Sequence, residues 1–167
     1  HGHFPGSGMT VITADLSSPP VGVINTMAEL QDALRIQAAD KKPGEWVTGS
    51  GYDDTLLVEN RHPTREDLDA VSTEHPIYIT HVSGHMGVGN SMAFEVLGIS
   101  AASEDPAGGV IVRQAGSREP AGLLEETAHM PVSQYTMDFT FMEGLQMMRF
   151  ASDEYISRGV TTAQSGG

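Results

Sequence analysis

The sequence predicts an α/β (or α+β) domain, on three observations. Segments of helical and of strand period alternate along the 167 residues, though irregularly. Apolar residues make up 39% before the 19 Gly are counted, enough for a globular core. The 19 Gly and 9 Pro exceed ordinary usage and predict a loop-rich fold.

Taken in order, residues 1–24 read as loop with a modest strand over Met9–Ala14, broken by Pro19-Pro20. Thr26 with Glu29 three residues on forms a capping box. Met27, Leu30, Leu34 and Ala38 follow at helical spacing, and Lys41, Lys42 and Pro43-Gly44 close the helix. Glu45–Gly51 reads as a short strand running into a glycine turn, and 52–63 as an irregular loop. Thr64 and Asp67 open a short helix. Ile77–Val82 is β-branched and aromatic, which predicts a buried strand. The three glycines of 83–90 predict a loop, after which Asn90 or Ser91 caps a helix that Gly98 ends. Gly109–Arg113 reads as a strand, 115–118 as a turn and Leu123–His129 as a helical turn. Asp138–Arg158 reads as a long helix with Phe141, Leu145, Met148, Ser152 and Tyr155 along one side. Gly159 stops it, and Val160–Gln164 reads as a last strand.

The charge narrows the function. A net −13 and a pI near 4.7 argue against nucleic-acid binding, which needs clustered Lys and Arg, and against docking on anionic lipid. No apolar run approaches the length of a membrane span. With no cysteine there is no disulfide framework, thiolate zinc site or cysteine nucleophile. That fits a reducing, cytoplasmic setting. The sequence opens without Met and stops after a strand-like run, which reads as a piece of a longer chain.

Few residues announce chemistry by themselves. His1 and His3, two apart on a strand end, point the same way and can share one divalent metal. Were His1 a true N-terminus, the terminal amine and His3 could instead chelate Cu(II) or Ni(II) in a square plane. His81 and His85 are four apart, but strand and glycine loop are the wrong setting for a helical ligand pair. His62 and His75 precede prolines and read as solvated turn residues, and His129 receives no function. The pairs Asp53-Asp54, Glu66-Asp67 and Glu125-Glu126 read as solvated faces. GSGY and GVGN lack the lysine and spacing of nucleotide loops, and no GxSxG elbow is present.

Several strings nevertheless occur in a telling order. They are HGHF at the start, GSGYDD at 49–54, HPTREDLD at 62–69 and SGHMGVGNSMAFEVLGI at 83–99. PAGGVIVR at 106–113, EPAGLLEETA at 119–128 and YISRGVTTAQ at 155–164 complete them. This ordered set resembles the family-3 branch of the amidohydrolase superfamily, metal-dependent hydrolases that include N-substituted formamide deformylases. The resemblance spans nearly the whole chain.

The resemblance implies a (β/α)8 barrel whose metal site lies at the C-terminal strand ends. It divides the chain into three: 1–9, the end of the first barrel strand with its HxH; 10–135, an inserted α/β domain; and 136–167, the first barrel helix and second barrel strand. By the same resemblance His1, His3 and Glu126 are metal ligands, Glu126 from its place in the GxLxExA string. Tyr52, Asp53, His85 and Asn90 are substrate-binding, Tyr52 standing where Trp is common. The implied cofactor is a divalent metal, zinc, in the intact enzyme, and the implied substrate is a small amide-type molecule cleaved at a C–N bond. The later histidines and late Asp of such sites have no counterpart here, and Ser165 stands where Asp is frequent. This chain alone is therefore expected to be inactive and metal-free, with no catalytic residue of its own. The alternative is a non-catalytic interaction module, since exposed Met and Phe over 139–150 would favour self-association.

Overall fold

A computed structural model describes residues 4–136 and 139–163, so His1 and His3 lie outside the described residues. A 3-10 turn over Gly6–Val11 leads into β1 (Ala14–Asp15) and α1 (Met27–Ala38). There follow β2 (Val47–Tyr52), α2 (Arg65–Asp69), β3 (Ile77–His81), β4 (Met86–Gly89) and α3 (Ser91–Leu97). The chain then forms β5 (Gly109–Arg113), β6 (Pro120–Glu126), α4 (Met130–Thr136) and α5 (Phe141–Ser157). Among the described residues, no helix is long and apolar enough to cross a membrane.

The six strands form one mixed sheet in the order β1-β2-β3-β4-β6-β5. β1, β2 and β3 run parallel; β4, β6 and β5 continue with antiparallel pairing. Alternation along the strands divides the core into two layers. Ile77, Ile79, Val88 and Leu123 pack with Leu30 and Leu34 of α1 and Leu68 of α2. Tyr78, Leu124 and Ile111 face the other way, against Phe94 of α3 and Val132 of α4. The capping boxes of α1 and α2 form as read from Thr26–Glu29 and Thr64–Asp67. Gly98 ends α3 in the left-handed region, at φ 69°.

Four expectations are corrected. Met9–Ala14 is mostly 3-10 turn, with strand only at Ala14–Asp15. The glycine-rich segment expected as loop contains β4, because its glycines answer to packing rather than to turning. A Cβ on Gly87 would stand 2.5 Å from the Tyr78 hydroxyl, and one on Gly89 2.8 Å from the Phe94 ring. Leu123–His129, rich in helix formers, begins in β6, where pairing on both sides with β4 and β5 overrides local preference. Val160–Ala163 is not strand; Gln164 lies outside the described residues.

The long helix starts later than expected, with Thr140 as N-cap in a capping box with Glu143. It docks through residues about a quarter-turn round from the Phe141–Tyr155 side. Met147 and Ala151 are buried, whereas Phe141, Leu145 and Met148 are exposed. The side that docks is set by Gly8, whose missing side chain lets the 3-10 turn lie directly on the Met147 backbone.

Candidate functional site

The strand directions bring the chemistry to one end of the sheet. β2, β3 and β6 all finish there, at Tyr52, His81 and Glu126, and β4 begins there after the 82–85 loop. Two polar clusters form along this end, joined by Ser83.

The first cluster belongs to β2 and β3. The pairing of these strands slips by one residue, from Ser50↔Thr80 to Tyr52↔His81, with Gly51 taking up the extra residue at φ 91°. Asp53 and Asp54 follow directly. Asp54 Oδ1 lies 3.1 Å from His81 Nε2 and 3.6 Å from His62 Nδ1. The fully buried Tyr52 ring stands edge-on to His81, centroids 5.1 Å apart, and its hydroxyl lies 3.2 Å from His62 Nδ1. Burial pushes the Tyr52 phenol far above its ordinary value, with Asp54 adding to the shift, so it stays protonated. The Thr55 side chain and amide, both donating to Asp53 Oδ1, hold that carboxyl below the usual range. The Ser83 amide donates to His81 Nδ1 at 3.1 Å, so the neutral ring carries its proton on Nε2.

The second cluster belongs to β4 and β6. His85 Nδ1 lies 3.0 Å from Glu126 Oε2, and the Glu126 amide donates to the His85 carbonyl at 2.8 Å. Glu126 sits in the left-handed region at φ 50°, uncommon for a residue with a side chain. Behind the pair, His129 is buried, its ring stacked on Tyr78 and its Nδ1 2.8 Å from the Tyr78 hydroxyl. Burial raises the Tyr78 phenol, so that hydroxyl donates to His129. Ser83 Oγ accepts from the His85 amide at 3.2 Å and contacts His81 Nδ1 at 2.9 Å, tying the clusters together.

Burial lowers the pKa of both His81 and His129 below the ordinary 6.5. The folded chain therefore holds fewer protons than the unfolded chain once pH falls toward 6.5. The stability these two neutral rings contribute is complete above about pH 6.5 and drains away as pH drops through their folded values. Urea midpoints are expected to be lower at pH 5.5 than at pH 7.5; equal midpoints contradict this.

The sequence-derived site residues divide. His85 and Glu126 are brought together and are exposed. Asp53 is half-buried at the same sheet end, beside Asp54 and His81. Tyr52, expected to meet substrate, is fully buried and supports the histidines from below. Asn90, also expected near substrate, is fully buried with its amide spent internally. Its Oδ1 accepts from the Ile77 and Ala93 amides, and its Nδ2 donates to the Ser72 and His75 carbonyls. His62 and His75, expected to be solvated, are respectively half-buried against Tyr52 and buried against the Glu45 carbonyl. Asp54, His62, His81 and His129 carried no assigned role in the sequence; the string THVSGHMG held the one visible signal.

Known proteins give this arrangement a family. A sequence profile of the amidohydrolase family matches residues 1–167. N-substituted formamide deformylase of Arthrobacter pascens is 27% identical over 96% of this chain and 30% of its own length. The protein LONG AFTER FAR-RED 3 of Arabidopsis thaliana is 28% identical over 93% of this chain and 27% of its own. A metal-dependent hydrolase from Pyrococcus horikoshii shares the fold over 97% of this chain and 29% of its own, at 20% identity and a TM-score of 0.58. The chain thus spans under a third of the length of these relatives. The profile covers every residue, and the chain belongs to the amidohydrolase family.

Proposed function

We propose that this chain forms part of a metal-dependent hydrolase that cleaves C–N bonds of small amide-type molecules. The observation that carries the reading is the His85–Glu126 pair on a strained backbone at the end of the sheet. Strain of this kind persists where the surroundings over-determine it, and it is concentrated at functional sites. Here the surroundings are explicit. The Glu126 amide is tied to His85, and its carbonyl accepts from the His129 amide at 2.9 Å.

The residues present fit a divalent metal. Glu126 supplies an exposed carboxylate oxygen, and a histidine at 3.0 Å fixes its orientation, the arrangement expected behind a carboxylate ligand. His1 and His3 would join Glu126 as this chain's share of the protein ligands in the intact enzyme, the later histidines coming from the rest of it, with zinc as the metal. When bound, such a metal supplies Lewis acidity that makes water nucleophilic at neutral pH. His85 then does two things: its Nδ1 holds the Glu126 carboxylate, and its exposed ring offers Nε2 to a substrate polar group. Ser83, which accepts from the His85 amide, fixes the loop that carries the ring.

In the intact enzyme, Glu126→Gln is expected to lower bound metal and to reduce kcat/KM on formamide or N-acyl substrates at least ~100-fold. His85→Ala should cost ~10–100-fold, the range for a partner that orients a ligand. Unchanged rates and metal content in both variants would overturn the assignment. The 167-residue chain by itself is expected to show no turnover.

The interaction-module alternative draws on α5, where Phe141 is 80% and Met142 63% exposed. Concentration-dependent sedimentation of the isolated chain, abolished by Phe141→Ser with Met142→Ser, would favour it.

A further inference from the structure

The cluster after β2 and β3 has a geometry that its protein partners do not satisfy. His81 is 9% exposed, and its Nε2 is buried without a hydrogen-bond acceptor among the described residues. Yet Asp54 Oδ1 is only 3.1 Å away. The two atoms are near each other but do not aim at each other, as donor and acceptor would. Atoms converging on one cation have this relation. With bonds of ~2.0–2.2 Å at tetrahedral or octahedral angles, neighbouring ligand atoms stand roughly 3 Å apart without pointing at one another.

Asp53 completes the set. One ligand atom each from Asp53, Asp54 and His81 lies within 4.8 Å of the other two. Asp53 Oδ1 is held by the Thr55 amide at 2.9 Å and the Thr55 hydroxyl at 2.6 Å, which orients the carboxylate and leaves Oδ2 for a ligand. His62 stands by, with Nδ1 3.6 Å from Asp54 Oδ1. The ring of His81 also has the partner a ligating imidazole needs. Once the Nε2 lone pair faces a cation, the proton belongs on Nδ1, where Ser83 Oγ can accept it at 2.9 Å. That switch gives up the Ser83 amide bond to Nδ1, and Ser83 is exposed, so water replaces it.

We propose that Asp53, Asp54 and His81 form a binding site for one divalent first-row transition cation, separate from the His1, His3 and Glu126 set. One imidazole and two carboxylates, with no sulfur, suit zinc, manganese or cobalt. The extra residue at Gly51 is what makes the site, because it turns Asp53 and Asp54 over the end of β3. The proposal reverses the expectation that the isolated chain is metal-free, and it does not rest on the hydrolase reading.

The test uses the 167-residue chain carrying His1→Ala and His3→Ala, which removes the terminal ligands. Zinc chloride alone is titrated calorimetrically, with cobalt(II) absorption as a second readout. One equivalent is expected to bind. Asp54→Asn, an isosteric change at a partly exposed position, should weaken binding at least tenfold while leaving the circular dichroism spectrum unchanged. His81→Ala should abolish it. Nitrogen-15 NMR of the His81 ring should show the proton on Nε2 without zinc and on Nδ1 with it, a readout that needs no folded His81 variant. Absence of stoichiometric binding, equal affinity in Asp54→Asn, or a His81 tautomer indifferent to zinc would each overturn the proposal. Metal loss in the intact Glu126→Gln enzyme reports separately on the hydrolase site.

Discussion

Asn90→Ala is expected to destabilise the chain by about 3–5 kcal/mol, several times an ordinary surface change. The side chain serves four backbone groups at once. It caps α3 through the Ala93 amide, accepts from the Ile77 amide at the start of β3, and donates to the carbonyls of Ser72 and His75. An N-cap alone contributes about 1 kcal/mol, and each buried polar group left unpaired costs roughly 1–3 kcal/mol. Asn90→Asp separates these contributions. It keeps both acceptor bonds but sets a carboxylate against two carbonyl oxygens, so it should be no less damaging than Asn90→Ala. Urea unfolding at pH 7.5 measures both variants. A loss in Asn90→Ala no greater than that of a simple cap would show that the four bonds do not act together.

Gly87→Ala is the second large effect, about 2–4 kcal/mol, and its cause is steric. The new Cβ would lie 2.5 Å from the Tyr78 hydroxyl and 2.7 Å from His129 Nδ1. β4 is hydrogen-bonded to β3 on one side and β6 on the other, so the backbone has little room to retreat. The rings must part instead, leaving a buried hydroxyl and a buried imidazole unpaired. A double-mutant cycle checks this. In a Tyr78→Phe background the hydroxyl is already gone, so adding Gly87→Ala should cost clearly less than it does in the parent. Additive losses would refute the part assigned to the hydroxyl and its bond to His129. Gly84→Ala is the contrasting control, because nothing lies within 4 Å of its Cβ and only its φ of 73° opposes the change.

What the sequence revealed depended on how local the determining interaction is. The start of α1 is legible because Thr26 and Glu29 bond each other's backbone within one turn. β3 is legible because IYITH is apolar on both faces of a central strand. β4 is not, since its glycines are explained by Tyr78, Phe94 and His129, residues that come from other elements. The docked face of α5, at Met147 and Ala151, was not legible for the same reason. Apolar spacing says that a helix has a side to bury, but Gly8, more than a hundred residues away, decides which side. The site follows this rule. Resemblance alone singled out Glu126 and His85, 41 positions apart, and the structure pairs them. The approach of Asp54 to His81 depends on a one-residue slip between parallel neighbours, which no local pattern encodes.

The seating of the 3-10 turn on α5 has a further consequence, for modularity. Ile12 and Thr13, where the chain sets out toward the sheet, and Thr136, where it returns, line the same cavity of about 200 Å³. More than a hundred residues thus leave and rejoin at one doorway. Joining nearby ends requires only a short linker and little loop-closure entropy. Replacing the residues between Thr13 and Thr136 by a short linker is therefore expected to leave the turn seated on the helix, which circular dichroism of the shortened chain would check.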